Sequence, residues 1–333
     1  MTERKNSGMK ILVTGGAGYI GGFMTKELLD RGNDVVVADS LERGHKEAVD
    51  TRATLAIGDL TEKRFLQDVL GGGFDMVLHF AGYIAVGESM KDPNAYFKNN
   101  TFATLQLLET MKDHGIGKII FSSTAAIYGN PIKIPIPEDH QKIPTNPYGE
   151  SKLMTEKLLH WYQQIYDISY VALRYFNACG AALDGSMGEA HDPETHVIPN
   201  AINAALNHAR FNLFGDDYDT PDGTCVRDYI HVLDLIYAHV LAIEKLQGEK
   251  GGFAYNVGTG TGFSNKQIIE IVKKVSGIDF EVAVQSRRPG DADELVADPK
   301  RIQKELGFRP NHSDLQTIVE SAWKWHTNKA GKE

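Results

Sequence analysis

Through the first half of the chain, short apolar runs alternate with stretches whose apolar residues recur at three- and four-residue spacing. The runs Lys10–Thr14, Asp34–Asp39, Thr54–Ile57, Asp75–Phe80, Lys118–Ser122 and Ser169–Arg174 predict strands. The stretches between most of them, such as Ala95–Met111 and Ser151–Tyr166, predict helices. Strands this uniformly apolar are covered on both faces, so the pattern predicts an α/β fold with a doubly wound parallel sheet. After about Ala178 the pattern loosens. Gly, Asp and Pro cluster in 181–193 and 215–223, which read as loops, and Phe253–Val257 and Phe280–Val284 predict further strands. The first eight residues are polar and aperiodic and a second Met stands at position 9, so 1–8 reads as a disordered leader outside the fold.

The first strand runs into Gly15-Gly16-Ala17-Gly18-Tyr19-Ile20-Gly21, where a helix begins. Glycines here allow a tight turn and let backbone N–H groups approach a pyrophosphate at a helix N-terminus. Asp39 ends the second strand, where a carboxylate holds the adenine ribose hydroxyls and repels a 2′-phosphate. The context predicts a Rossmann-type NAD-binding domain over 9–178. A smaller C-terminal α/β region over 179–333 is expected mainly to bind substrate, with segments such as 230–258 candidates to pack back on the sheet. Arg43, close by in sequence, weakens the preference for NAD over NADP.

Size and composition narrow the picture further. A chain of 333 residues suffices for one large domain or two joined ones. The net charge of −9 argues against nucleic acid as a partner, although a local basic pocket for phosphate is compatible with it. Cys179 and Cys225 read as unpaired residues of a reducing compartment. Without an apolar run of membrane-spanning length or a visible signal peptide, a cytoplasmic protein with no membrane partner is expected.

Tyr148 and Lys152 stand four residues apart, one turn along the same helix face. A tyrosine with a pKa of about 10 is a poor base at neutral pH, and a nearby ammonium and a cationic nicotinamide favour the phenolate. Thr124, at the carboxyl end of a strand, offers a hydroxyl to bridge Tyr148 and a substrate oxygen. Dehydratases that resemble this chain place an acid just after that Thr, whereas Ala125 and Ala126 follow here and cannot donate a proton. A silent NAD-binding regulator would have little need of the Tyr148–Lys152 pair.

Together these residues resemble the epimerase branch of the extended short-chain dehydrogenase/reductase family. The resemblance runs from about Met9 to Trp325. It rests on Val13–Gly21, Gly58-Asp59-Leu60, His79–Gly82, Ala85–Ser89, Asn99-Asn100, Phe121–Gly129, Pro147–Lys152, Leu173–Asn177, Gly223–Asp234 and Arg287–Asp291. It implies inversion at C4 of a UDP-linked hexose, UDP-glucose to UDP-galactose and back, through a 4-keto sugar. The cofactor implied is NAD, bound throughout, with no metal. It also implies a homodimer through helices Ala95–Met111 and Ser151–Tyr166.

Position by position, the resemblance implies these roles. Gly15, Gly18, Tyr19, Ile20 and Gly21 carry the dinucleotide. Asp39, Ser40, Leu41, Glu42, Arg43 and Gly44 embrace the adenosine, and Asp59 and Leu60 flank the adenine. Phe80, Ala81, Gly82, Tyr83 and Ile84 line its middle, and Asn99, Thr124, Tyr148, Lys152 and Phe176 surround the nicotinamide end. Asn177, His196 and Val197 meet the nucleotide-sugar, and Leu213 and Phe214 flank the uracil. Arg227 and Arg288 neutralise the diphosphate, and Asp291 holds the uridine ribose. Tyr148, Lys152 and Thr124 are the catalytic set.

Some positions depart from the pattern. Ile84 stands where some members have a cofactor-contacting Lys, Ser40 replaces a frequent Asn, and Thr124 stands where Ser is also found. Leu295 stands beside the sugar where others have Tyr or Cys, so N-acetylated sugars stay open as substrates.

Overall fold

A computed structural model describes residues 8–288 and 290–331. The reading of 1–8 as a leader falls, Gly8 apart, outside the described residues. In chain order the amino-terminal elements are β1 (Lys10–Thr14), α1 (Tyr19–Asp30), β2 (Asp34–Asp39), β3 (Thr54–Ile57), α2 (Lys63–Leu70) and β4 (Met76–His79). Two single turns follow, α3 (Val86–Ser89) and α4 (Pro93–Tyr96), then α5 (Ala103–Asp113), β5 (Lys118–Thr124), α6 (Pro147–Tyr166) and β6 (Ser169–Tyr175). The remainder comprises β7 (Asn177–Cys179), α7 (Val197–Leu206), β8 (Phe211–Phe214), β9 (Val226–His231), α8 (Val232–Gly248) and β10 (Gly252–Val257). The chain goes on with β11 (Gly262–Ser264), α9 (Asn265–Ser276), β12 (Val282–Gln285), β13 (Glu294–Leu295), α10 (Lys300–Leu306) and α11 (Leu315–Ala330).

Seven strands form one sheet in the order β3-β2-β1-β4-β5-β6-β10, and every pairing is parallel. Alternating side chains feed two cores. Ile11, Val13, Val37, Leu78, Ile120 and Leu173 meet Met24, Leu28, Leu235 and Phe308 from α1, α8 and the segment after α10. Leu12, Val77, Ile119, Phe121 and Ala172 face the other way, onto Leu66, Leu107, Met111 and Leu159 of α2, α5 and α6. Each fully buried apolar side chain of this kind contributes about 1.5–3 kcal/mol, so a strand apolar on both faces holds two helical layers at once.

β10 and α8 lie in the C-terminal half of the sequence, yet β10 closes the sheet beside β6 and α8 packs beneath it. Helices α7, α9 and α11 and strand β8 gather around a separate core that includes Ile198, Ile202, Leu213, Ile268, Val272 and Ile318. Among the described residues no helix is long and apolar enough to cross a membrane.

Element boundaries shift where buried polar residues end an apolar run. β5 and β6 stay paired through Ser123↔Arg174 and Thr124↔Tyr175, beyond the Lys118–Ser122 and Ser169–Arg174 runs. The helix read over Ala95–Met111 is split by a π-helical segment, Phe97–Phe102, between α4 and α5. Helix α6 starts earlier than its apolar pattern does. The Asn146 side chain caps it by accepting from Gly149 N at 2.8 Å, and Pro147 occupies the first turn, where its missing N–H costs nothing.

Candidate active site

The order reversal between β1 and β4 opens a crevice at the carboxyl ends of the strands, where open α/β sheets bind ligands. A cleft of about 1860 Å³ starts there and runs under the C-terminal region. Pockets for a single small molecule hold about 300–1,000 Å³, so this one has room for two nucleotide-sized ligands end to end.

At one end lies the glycine turn. Gly15 has φ +73°, and a Cβ there would come within 2.5 Å of Ala81 N. One on Gly21 would lie 2.2 Å from the Gly15 carbonyl oxygen. Gly18 caps α1 without a side-chain acceptor, and the first turn carries no acid, so its N–H groups are left for an anion. The Asp39 carboxylate is fixed by Ala17 N at 3.0 Å and Leu41 N at 2.9 Å. This cradle fits a dinucleotide.

Arg43 is already engaged. It pairs with both Glu88 oxygens at 2.9 and 2.7 Å and stacks 4.2 Å from the Tyr83 ring centroid, while the Tyr83 hydroxyl donates to Glu42 at 2.8 Å. The segment 42–43 is thereby strapped to 83–88 at the glycine-turn end of the cleft. With its charge taken by Glu88, Arg43 no longer offsets the preference of Asp39 for NAD.

Tyr148 and Thr124 face each other deeper in the cleft, at the start of α6 and the end of β5. The Thr124 hydroxyl beside the phenol favours the phenolate, but burial dominates and pushes the Tyr148 pKa up. The expectation of a lowered Tyr148 pKa is therefore not met by the protein groups alone. Lys152 does not touch the phenol. Its Nζ donates to the Ser122 carbonyl at 2.9 Å, and burial pushes its pKa down to about 8. A Cβ on Gly82 would sit 3.3 Å from that Nζ, so the ammonium lies directly under the Gly82 backbone.

Three groups hold this constellation that the sequence did not single out as site residues. Glu156, two turns beyond Tyr148, accepts from Ser123 Oγ at 2.6 Å and from Arg174 at 2.9 and 2.8 Å. Arg174 also donates to the Tyr128 hydroxyl at 2.8 Å, and that hydroxyl donates to Asn256 Oδ1 at 2.7 Å. Asn100, set in the π-helical segment, accepts from Tyr83 N at 2.8 Å and donates to Ser151 Oγ at 3.0 Å. π segments commonly mark functional positions, and this one ties the Tyr83 backbone to α6. The signal available in sequence was Glu156 itself, an acid on the stripe of α6 that otherwise turns inward at Lys152, Thr155 and Leu159.

The cleft wall includes Gly15, Gly18 to Gly21, Asp39, Ser40, Glu42 to Gly44, Asp59, Leu60, Phe80 to Ile84 and Asn99. Further along it lie Thr124, Tyr148, Phe176, Asn177, His196, Val197, Arg227, Arg288, Asp291 and Leu295. Leu41, Lys152, Leu213 and Phe214 are not on the wall. Leu213 points into the C-terminal core at 2% exposure, because alternation along β8 turns it inward, and so its side chain does not flank a base. Phe214 takes the outward position with the Arg288 guanidinium 4.3 Å from its ring centroid.

Arg227 donates to the Val226 and Asp293 carbonyls at 2.9 and 3.3 Å, and neither it nor Arg288 has a carboxylate partner among the described residues. Leu295 pairs with Arg227 across β13 and β9 and packs near Tyr128 and Phe176. His196 N-caps α7 and lies 2.7 Å from Glu189 and 3.0 Å from Glu194, which hold its imidazole protonated, with a pKa pushed up to about 10.

The comparisons with known proteins agree with this geometry. The NAD dependent epimerase/dehydratase family matches residues 11–258. A UDP-glucose 4-epimerase of Lacticaseibacillus casei is 48% identical over 322 residues, 96% of this chain and 97% of its own. The crystal structure of a UDP-glucose 4-epimerase from Brucella ovis in complex with NAD is similar at 44% identity and TM-score 0.91, over 95% of this chain and 97% of that one. That of a UDP-glucose 4-epimerase from Bifidobacterium longum in complex with NAD+ and UDP is similar at 38% identity and TM-score 0.93, over 97% of this chain and 100% of that one. With the match spanning the whole sheet from β1 to β10 and the relatives covered almost end to end, this chain belongs to the NAD dependent epimerase/dehydratase family.

Proposed function

We propose that this protein uses NAD to invert the C4 hydroxyl of a UDP-hexose, interconverting UDP-glucose and UDP-galactose. The observation that carries the reading is the Tyr148–Thr124 hydroxyl pair, set in one cleft between the dinucleotide turn and two arginines that have no carboxylate partner among the described residues. When bound, NAD would supply the acceptor for the C4 hydride and the donor that returns it to the other face of the 4-keto sugar. Tyr148 removes the O4 proton and later restores it, and Thr124 orients that proton through its hydroxyl. Lys152, fixed by the Ser122 carbonyl close to the Gly82 backbone, would hold the nicotinamide ribose. Its charge and that of the bound nicotinamide oppose the burial that raises the Tyr148 pKa.

Asp39 selects the ribose hydroxyls, and Arg227 and Arg288 anchor the diphosphate while the keto sugar turns over. The chain supplies orientation and charge, and the redox step belongs to the cofactor. Ala125 and Ala126 leave no acid beside Thr124, which favours epimerisation over dehydration. The test is incubation of the purified protein with UDP-galactose and identification of the product. UDP-glucose without accumulation of free NADH is expected. A dehydrated keto sugar, or stoichiometric NADH, overturns the reading.

A homodimer through α5 and α6 accompanies this proposal. Met154, Trp161 and Ile165 form an exposed apolar stripe along α6, with Trp161 60% and Ile165 63% exposed, and Phe102 extends it just before α5. Patches of this kind mark association sites. A dimer mass in light scattering that falls to a monomer in Trp161→Glu is expected. The two cysteines are buried and unpaired, which suits a reducing cytoplasm.

A further inference from the structure

The loop leading into α7 gathers four donor groups that proton and hydride transfer do not use, and three of them, Glu189, His191 and His196, line the cleft. Glu189, His191, Glu194 and His196 each bring one ligand-type atom to a single spot, all within 4.8 Å of one another. Among the described residues this is the only such group. His191 Nδ1 lies 2.8 Å and His196 Nδ1 2.7 Å from the same Glu189 oxygen, and His196 Nδ1 is 3.0 Å from Glu194 Oε1. The two imidazole centroids are 5.2 Å apart.

The groups are held in place from behind. The Trp325 indole donates to the Glu189 carbonyl at 2.8 Å, and the Glu189 side chain is 6% exposed. Backbone N–H groups of Thr195 and His196 fix Glu194 Oε1 at 2.7 and 2.8 Å. An imidazole Nδ1 carries at most one proton, so His196 cannot give a full hydrogen bond to both carboxylates that flank it. One shared ion offers all four groups a common partner.

The donor set decides the class of ion. Two imidazole nitrogens with two carboxylate oxygens suit zinc and its neighbours, whereas magnesium and calcium take oxygen ligands. Zinc–ligand distances of about 2.0–2.2 Å give tetrahedral edges of roughly 3.3–3.6 Å. The present contacts must open by about half an ångström as the ion replaces the bridging protons. All four residues lie within one eight-residue stretch, so that adjustment stays local.

We propose that Glu189, His191, Glu194 and His196 form a site for a divalent transition-metal ion of the zinc class, and that an ion there inhibits the enzyme. Binding displaces the bridging protons to solvent and changes no oxidation state. The inhibition rests on the reading of His196 as a substrate contact, because an ion on its Nδ1 holds the ring away from the nucleotide-sugar. The binding does not depend on that reading.

The experiment uses tag-free, chelator-treated protein with its bound NAD. It is titrated calorimetrically with zinc chloride and, in parallel, with cobalt chloride by visible absorption. One zinc per chain and the ligand-field bands of tetrahedral cobalt are expected. His191→Ala and Glu194→Gln should each weaken binding by more than the roughly tenfold that even an outer-shell partner supplies. Zinc should raise the apparent KM for UDP-galactose in the wild type and leave it unchanged in His191→Ala, whose metal-free turnover stays normal. Absence of stoichiometric binding, an octahedral cobalt spectrum, or binding as tight as the wild type's in both variants overturns the site. Stoichiometric zinc at an unchanged KM overturns the inhibition while the site stands.

Discussion

Replacing Glu156 with Ala removes the partner of a guanidinium that is 5% exposed, and the carboxylate it takes away is itself 10% exposed. Breaking one side of a buried pair costs about 3–5 kcal/mol, because the remaining charge is left desolvated. At about 2.1 cal/mol/K per residue, the 333-residue chain has an unfolding entropy near 0.7 kcal/mol/K. The expected loss of Tm is therefore about 4–7 °C. The same change frees Ser123, which sits between the Lys152-binding carbonyl of Ser122 and Thr124, whose hydroxyl is proposed to act in catalysis. A misplacement of about 1 Å at a reacting group costs roughly 10²-fold, so kcat should fall by up to that factor while KM moves little.

Calorimetry and steady-state epimerisation measure the two effects. Glu156→Gln keeps an acceptor for Ser123 and should lie between wild type and Glu156→Ala. The double variant Glu156→Ala/Arg174→Ala should be less damaged than the sum of the single variants, with a coupling of about 0.5–3 kcal/mol. Additive single effects, or an unchanged Tm and kcat in Glu156→Ala, refute the argument that this pair holds α6 against β5.

Four other outcomes are expected. Tyr148→Phe should fold and keep NAD while turnover drops by about 10²–10⁴-fold, and near-normal turnover would remove the phenol from proton transfer. Arg227→Ala and Arg288→Ala should each raise KM with NAD retained, each lost contact costing up to about 2–5 kcal/mol, whereas unchanged KM in both would make them surface residues. Arg43→Ala and Glu88→Ala should each speed the release of bound NAD, followed by cofactor fluorescence during dilution, and equal release rates would show that the strap does not retain it. Below neutral pH the protein should lose stability. Burial pushes His79 down to about 3 and His231 and His239 down to about 4, and an unfolded histidine titrates near 6.5. The unfolded chain then binds more protons below pH 6.5, so stability falls as pH drops from there towards 4. Urea midpoints across that range measure the slope, and a flat profile refutes the assignment of neutral buried rings.

What the sequence made legible was local. β1, β2 and β3 fall where their apolar runs lie, since a short apolar run is a local signal, present even in β3 at the half-exposed edge of the sheet. The glycine turn was legible for the same reason, as was the Tyr148–Lys152 spacing. The ends of β5 and β6 were not, because Ser123 and Arg174 are buried polar residues whose partner, Glu156, comes from another element. The π-helical segment at Phe97–Phe102 leaves the helical periodicity almost intact and so gives no signal. Leu213 was placed beside a base by resemblance, and alternation along β8 turns it inward. The direction of the Tyr148 pKa reversed because desolvation is a property of the packed cleft, invisible in a four-residue spacing.

The position of β10 also has a bearing on how the chain is made. The outer edge of β6 gains its partner only when Gly252–Val257 arrives, after the whole of β7 to α8 has been synthesised. At about 5–20 residues per second, the interval between residues 175 and 257 lasts roughly 4–16 s on the ribosome. Throughout that time a strand carrying Val171 and Leu173 offers unpaired N–H and carbonyl groups to any neighbouring nascent chain. A stalled or truncated product ending in this window is a template for strand addition, and chaperone capture has to act before β10 emerges.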